Sequence, residues 1–333
     1  MAGFVGETVK RALALARFAP SAHNTQPWRV GMDGGRLVIG VDPRRRLSHS
    51  DPLGRDLRLA LGGFVEALTL ALANEGVAVE AVDPPTGAGA FAALGFAGAR
   101  DRDAGAASLL RRRQTSRLAY SPRTPEAAAV DALSAAARAH GLALHAAPRG
   151  TPERARLDAW FFAATRESWL DARAVAELRA WMRFDPEGAR APEDGLSTHC
   201  LGLGTLEGLG ASLAVRAAPW RVATAAFVAP LLAERLAETE TRDVTLAPFL
   251  GLLVAEREGA GGHDGAGLLR VWLAATELGL AMHPISVLLD RRGWEVARHL
   301  GAPTGRVLFA FRLGRSAPPP RSGRLPVDRF ARV

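Results

Sequence analysis

Two prolines, Pro20 and Pro27, bracket Ser21-Ala22-His23-Asn24-Thr25-Gln26, and they dictate how the start of the chain can fold. Apolar residues at helical spacing (Val5, Val9, Leu13, Ala16) run up to the first proline. A helix cannot continue through it, because its ring blocks the preceding turn and it has no N–H to donate. Past the second proline, Trp28 to Met32 and Leu37 to Val41 read as strands around Asp33-Gly34-Gly35, a hairpin signal. The expectation is helix, rigidly bounded polar loop, hairpin. A plain turn needs only about two or three polar residues, whereas this loop carries five: Ser21, His23, Asn24, Thr25 and Gln26. Their donors and acceptors suit either a polar helix-terminating turn or a surface facing a hydrogen-bonding ligand. His23 could act as a general base or a metal ligand. No second histidine or carboxylate stands nearby at ligand spacing, so no metal is expected.

The helix-and-strand rhythm continues to the end of the chain. Asp51-Pro52 reads as the N-cap and first-turn proline of a helix running to about Asn74, with Gly76 closing it. Val77 to Val82 and Phe91 to Phe96 read as strands on either side of a Pro/Gly-rich stretch. A second cycle follows: an Arg-studded helix from Ala106 to Leu118, a helix from Pro125 to Ala139, a strand from Leu142 to Ala146, and a long helix from about Thr151 to Met182. Phe184 to Arg242 reads as irregular, around GLGTLEGLG, and its length suits a lid or binding loop. GLGTLEGLG has no strong strand before it and no ribose-binding acid after it, so it does not read as a dinucleotide fingerprint. Strand (Leu250 to Glu256), helix (Gly265 to Leu278), a break at His283-Pro284, helix (Arg292 to Leu300) and strand (Arg306 to Leu313) then lead into an extended proline-rich tail. The expected class is α+β, and 333 residues allow about two domain-sized units.

Composition narrows the function. Hydrophobic residues at 48% and charged residues at 23% fit a globular protein. Cys200 is the single cysteine, which excludes an intrachain disulfide and a thiolate metal cluster. No apolar run reaches the roughly 20 residues of a membrane span, and the first residues lack a signal-peptide core, so a cytoplasmic protein is expected. The net charge of +8 is carried almost entirely by arginine, with Lys10 the one lysine. Arginine suits bidentate phosphate binding. A chain with 6% aromatics and one tyrosine, Tyr120, offers little stacking surface for nucleic acid, which is therefore not an expected partner.

Within RRRQTSR, the residues Arg113, Thr115 and Arg117 alternate. An extended chain would show all three on one face, where two guanidiniums and a hydroxyl suit a phosphate; a solvated basic helix end is the other reading. His283-Pro284-Ile285-Ser286 follows an apolar helix and could aim backbone N–H groups at a flat ligand, or simply mark a helix-to-loop transition. Arg315, Arg321 and Arg324 could add charge to an anion site or keep the tail solvated. The chain has no P-loop, no GxSxG elbow and no paired-cysteine zinc pattern.

In this order, the segments resemble the flavin-dependent nitroreductase family. APSAHNTQPWR is similar to its APSxxNxQPW loop, Arg113-x-Thr115-x-Arg117 to its RxSxR segment, LAATELGLAMHPIS to the helix and turn beneath the flavin, and GRLPVD to its terminal Arg-x-Pro motif. In ordinary members the RxSxR segment comes first; here the loop does, an order that resembles the twin-type, single-chain, Acg-like branch, in which one chain imitates the family's homodimer. The resemblance implies a mixed sheet flanked by helices and internally duplicated, with halves at 1–104 and 105–333 and a lid at 184–242. It also implies one FMN per chain. Pro20, Ser21 and Asn24 would face the isoalloxazine. Arg113, Thr115, Arg117 and Arg324 would hold the phosphate and ribityl chain, Pro284, Ile285 and Ser286 would lie near N5 and O4, and Arg183 would be a cation beside the pyrimidine ring. The implied activity is electron or hydride transfer between the flavin and a small organic substrate or NAD(P)H. The alternative is an FMN-sequestering protein with a closed lid. A monomer or weak homodimer is expected, since the halves already pair.

Overall fold

A computed structural model describes residues 2–85, 89–184, 192–204, 208–210, 212, 225–257, 261–303 and 305–333. The chain folds around two sheets, and a third, two-stranded parallel sheet pairs β6 (Met182–Arg183) with β7 (Leu196–Ser197). The first has strand order β11-β1-β2-β4-β3, from β1 (Trp28–Asp33), β2 (Arg36–Val41), β3 (Val77–Val82), β4 (Ala90–Ala99) and β11 (Ala331–Arg332). Its β1–β2 hairpin turns on Gly34 and Gly35, with φ of 54° and 76°. A two-residue hairpin turn of this kind needs positive φ at both centres, which glycine adopts without a Cβ clash. Neighbouring strands are antiparallel except β11, which runs parallel to β1 and pairs Ala331 with Val30, so the sheet is mixed. Helices α1 (Ala2–Ala16) and α2 (Arg55–Asn74) cover it, and Trp28 stacks on Phe64 at 4.5 Å in the shared core.

The second sheet, β5-β8-β10-β9, is antiparallel throughout: β5 (Leu142–Pro148), β8 (Phe249–Ala255), β9 (Ala281–Pro284) and β10 (Val307–Gly314). Every residue of β10 is buried. Leu253 and Phe311 face one core with Trp272 of the helix Gly261–Glu277; Leu252 and Ala310 face another with Leu157 and Leu288. Burial on both faces explains why β8, FLGLLVA, reads as an unbroken apolar run instead of alternating.

Glycines join the two sheets through their covering helices. A Cβ on Gly62 would lie 2.3 Å from the Gly262 carbonyl oxygen, and one on Gly265 would lie 2.4 Å from that of Leu59. Only hydrogen at these positions lets α2 and the helix Gly261–Glu277 approach so closely.

Several boundaries differ from the sequence expectations. The α2 helix begins at Arg55, with Gly54 at φ 67°, and Asp51 reaches in from outside to accept the Leu57 N–H at 2.9 Å. The expected long helix splits into α5 (Pro152–Leu170) and α6 (Ala172–Trp181), because Asp171 caps α6 by accepting from Arg173 and Ala174. The helix α3 (Ala104–Arg112) stops well short of Leu118: Arg113 has ψ of 125°, and Thr115 bridges Met282 in parallel. The extended reading of 113–117 therefore holds over the basic helix end. The expected break at His283-Pro284 is strand β9, and the helix after it begins at Ser286, with a kink at Arg292. Part of the stretch read as irregular is helical, Ala225–Thr245, while 185–191, 205–207, 211 and 213–224 lie outside the described residues.

Candidate functional site

The loop between Pro20 and Pro27 uses its polar side chains as fasteners. Ser21 Oγ accepts the Gln26 N–H at 2.9 Å. Gln26 is fully buried; its Nε2 donates to the carbonyls of Glu193 at 2.9 Å and Asn24 at 3.3 Å, and its Oε1 accepts the Leu325 N–H at 2.9 Å. Asn24 Nδ2 donates to the carbonyls of Gly195 (3.2 Å) and Gly323 (3.1 Å), while its Oδ1 accepts from Arg324 at 3.0 Å. Among the described residues, His23, Asn24 and Gln26 are the non-glycine residues with positive φ, at 48°, 56° and 50°. Such conformations persist only where surrounding contacts over-determine them. Here three segments do so: the loop, 193–195 and the tail at 323–325. Gly323 is packed so tightly that a Cβ would meet the Pro192 carbonyl oxygen at 1.7 Å.

Behind this knot lies a group of cations. Arg113, 3% exposed, leaves α3 at the start of the extended segment. It donates to the Phe18 carbonyl at 2.8 Å and lies 4.6 Å over the Trp272 ring, and its Nε and Nη1 have no partner among the described residues. Arg324 donates to Asn24 and to the Ser322 and Gly323 carbonyls, with its buried Nε unpartnered. Arg117 makes a long bond, 3.5 Å, to the Cys200 carbonyl. Carbonyls, an amide and ring faces hold these guanidiniums; no carboxylate among the described residues pairs with them. Arg17 adds a fourth cation, donating to the Leu325 carbonyl at 3.2 Å.

The electrostatics carry the same message. Burial, then repulsion from Arg324 and Arg321, pulls Arg113 down to about 9. Burial, with Arg17, Arg321 and Arg117 adding repulsion, pulls Arg324 down to about 10. Burial also lowers Arg117, and lowers His23, which Arg117 repels. A guanidinium keeps its proton in a protein. The downward pull comes first from burial and then from neighbouring guanidiniums, and a bound anion would offset both.

The sequence candidates do not all join this group. Arg324 lies within electrostatic reach of both Arg113 and Arg117, with Asn24 bonded to Arg324. Thr115 lies between Arg113 and Arg117 on the extended segment, paired with Met282. Pro20 and Ser21 stand at the mouth of the loop, where the Ser21 hydroxyl is committed to Gln26. Arg183 is not a free cation: its guanidinium pairs with Asp194 at 2.9 Å and 3.0 Å. Of the three residues Pro284, Ile285 and Ser286, proline has no N–H and the Ile285 N–H is spent on the Ala310 carbonyl at 2.8 Å. The Ser286 N–H remains, at a helix start where such donors lack intrahelical partners. Sequence reasoning passed over Arg17 and the buried Arg312, and took His283 only as part of the His283–Ser286 turn, without a role for its ring. An arginine inside the apolar run VLFAFRLG was the available signal for Arg312.

No family model matches the chain. Over 70 residues, 21% of the chain, it is 43% identical to a protein of Mycobacterium tuberculosis strain H37Rv that carries the name NAD(P)H nitroreductase. A stretch of 72 residues is 33% identical to a Serratia protein bearing the same name, PigM. Over this stretch the chain resembles nitroreductases. The similarity spans only a fifth of those relatives' length (20%). Among solved structures, the FMN-dependent nitroreductase NfnB of Mycobacterium smegmatis, in complex with NADPH, is 19% identical over 69% of this chain and 98% of its own, with a TM-score of 0.42. A nitroreductase with bound FMN from Desulfitobacterium hafniense is 14% identical over 68% of this chain and 96% of its own, with a TM-score of 0.38.

Proposed function

We propose that this chain binds FMN at the arginine group and serves as an oxidoreductase of the nitroreductase type, acting on a small organic substrate with NAD(P)H as reductant. One observation carries the proposal: Arg113 is buried and Arg117 and Arg324 half-buried, Arg324 repels both of the others, no carboxylate among the described residues pairs with any of them, and two of them have unpartnered nitrogens. A phosphate monoester fits this donor set, because its oxygens accept from several guanidinium N–H groups at once and its charge offsets their mutual repulsion. FMN, when bound, supplies hydride and single-electron chemistry from its ring.

The chain's own part is binding, orientation and electrostatics. Arg113, Arg117 and Arg324 would hold the phosphate, with Thr115 offering a hydroxyl between the first two. The residual positive field favours an anionic ligand in any oxidation state. Pro20, Ser21 and Asn24 would border the site on the loop side, and the Ser286 N–H would be the donor left at the strand-to-helix turn. In this reading the halves 1–104 and 105–333 stand in for two subunits, and the glycine contact between α2 and the helix Gly261–Glu277 is their internal interface.

A second reading, storage of FMN with little turnover, draws support from the way Glu193 and Gly195 are fastened onto the loop. The purified protein should take up FMN stoichiometrically and turn yellow. Anaerobic NADPH and NADH should then bleach the flavin. Bleaching by dithionite alone would favour storage, and failure to retain any FMN would end both readings.

A further inference from the structure

Arg312 and His283 face each other across β10 and β9, at paired positions of the ladder. Arg312 is 1% exposed in the middle of an apolar strand. No carboxylate bonds its guanidinium among the described residues. Instead it donates to the carbonyls of Asp243 (2.8 Å) and Leu118 (3.1 Å), lies 4.4 Å over the Tyr120 ring, and donates from Nε to His283 Nδ1 at 3.1 Å. That last bond settles the chemistry of the imidazole. A guanidinium nitrogen can only donate, so Nδ1 must present its lone pair. The ring is then neutral, and its proton sits on Nε2.

We propose that Arg312 is a positioning residue that fixes His283 as a neutral imidazole with an Nε2–H donor, and that His283 gives this donor to the ligand of the arginine group. The location supports a ligand role. Ser116, between Thr115 and Arg117, donates its N–H to the Met282 carbonyl at 3.2 Å, which sets the phosphate-binding segment directly against the strand carrying His283. Nothing among the described residues accepts from Nε2. Burial above all, then Arg117 from the extended segment and Arg312 from β10, oppose protonation of the ring. Tyr120 and Asp243 act on Arg312 and favour its charge. A neutral donor among fixed cations gives the site directionality that charge alone lacks, since a hydrogen bond weakens steeply with angle. The ligand half of this inference rests on the FMN reading, whereas the tautomer half does not.

The test uses the full chain with ¹⁵N-labelled histidine, whose ring nitrogens report tautomer and protonation separately. His283 should show a protonated Nε2 and a bare Nδ1, unchanged from about pH 5.5 to about pH 8. Arg312→Gln should release it into mixed tautomers that titrate in that range. A protonated Nδ1, or titration in the native chain, overturns the proposal. His283→Asn separates positioning from contact: its side-chain oxygen can still accept from Arg312, but the distant donor is lost. FMN affinity, measured by flavin fluorescence, should then fall about 3- to 10-fold with an unchanged melting temperature. Equal affinity in this variant overturns the ligand contact. Should the native chain take no FMN, the flavin reading fails separately, and titration with inorganic pyrophosphate decides for His283. Movement of the Nε2 resonance supports the contact, and a static resonance overturns it.

Discussion

Removing Arg117 should move two measurements in opposite directions. Its charge is half-buried and repelled by Arg324 and Arg312, with a single long bond to a carbonyl in return. Arg117→Met should therefore leave the melting temperature of the FMN-free protein unchanged or raise it, while weakening FMN binding about 10- to 100-fold. A loss of stability equal to the loss of affinity would make Arg117 a structural residue. Gln26 is the opposite case. Its amide satisfies three backbone groups, two of them in other segments, so Gln26→Leu strands buried polar atoms at about 1–3 kcal/mol each. Amide exchange at Leu325 should rise sharply in that variant, ahead of global unfolding. The sequence showed the polar excess of this loop, but not that Asn24 and Gln26 tie down the tail. Partners about 170 and 300 residues away leave no mark on local spacing.

Among the elements, the contact between α2 and the helix Gly261–Glu277 gives a paired prediction. A methyl at Gly62 would press on rigid backbone at 2.3 Å, whereas at Gly63 the nearest atom is 3.4 Å away. Gly62→Ala should cost about 3 kcal/mol or more, since neither helix can yield without moving a sheet. Gly63→Ala should be close to neutral, as the helical gain of alanine offsets slight crowding. Urea unfolding of both variants checks the difference. The joint between α2 and the helix Ser286–His299 carries a pH dependence. Burial and the neighbouring Asp56 carboxylate lift Asp290 to about 8, although Arg55 binds it at 2.7 Å. The folded chain thus keeps a proton that the unfolded chain releases above about pH 4. Stability from this group is present at low pH and is lost as pH rises from about 4 to about 8. Asp290→Asn should flatten that slope and raise the unfolding midpoint at pH 8. Strands such as β2 and β8 were legible because alternation, an apolar run and glycine punctuation are local signals, whereas β9 was read as a break. Helix starts were less so: Asp51-Pro52 has the residues of a cap, but Gly54 in a left-handed conformation delays the first turn to Arg55. The end of α3 could not be read either, because only pairing with Met282 draws 113–117 into extended form.

At the scale of the molecule, FMN should act as a stabiliser. A ligand present at about 100 times its Kd adds about 2.7 kcal/mol to the folded state. The melting temperature should climb several degrees with FMN and by much less with riboflavin, which lacks the phosphate; equal shifts would place the anchoring elsewhere. The mixed α and β class was legible in the sequence, and four short segments in order suggested the cofactor proposed above. The way those segments converge was not legible, since it depends on which helices can approach and where the tail returns. That return sets a schedule. Ala331 pairs with Val30 across about 300 residues, and Arg324 lies just upstream of the closing strand. Contacts so distant in sequence form late and slowly. During synthesis, the hairpin and its helices can collapse while the ribosome is still translating, yet the anion site stays one guanidinium short until residues 324–332 have emerged. On the FMN reading, cofactor capture falls in the last moments of folding, and a cell short of flavin would hold a population of chains that are otherwise fully folded.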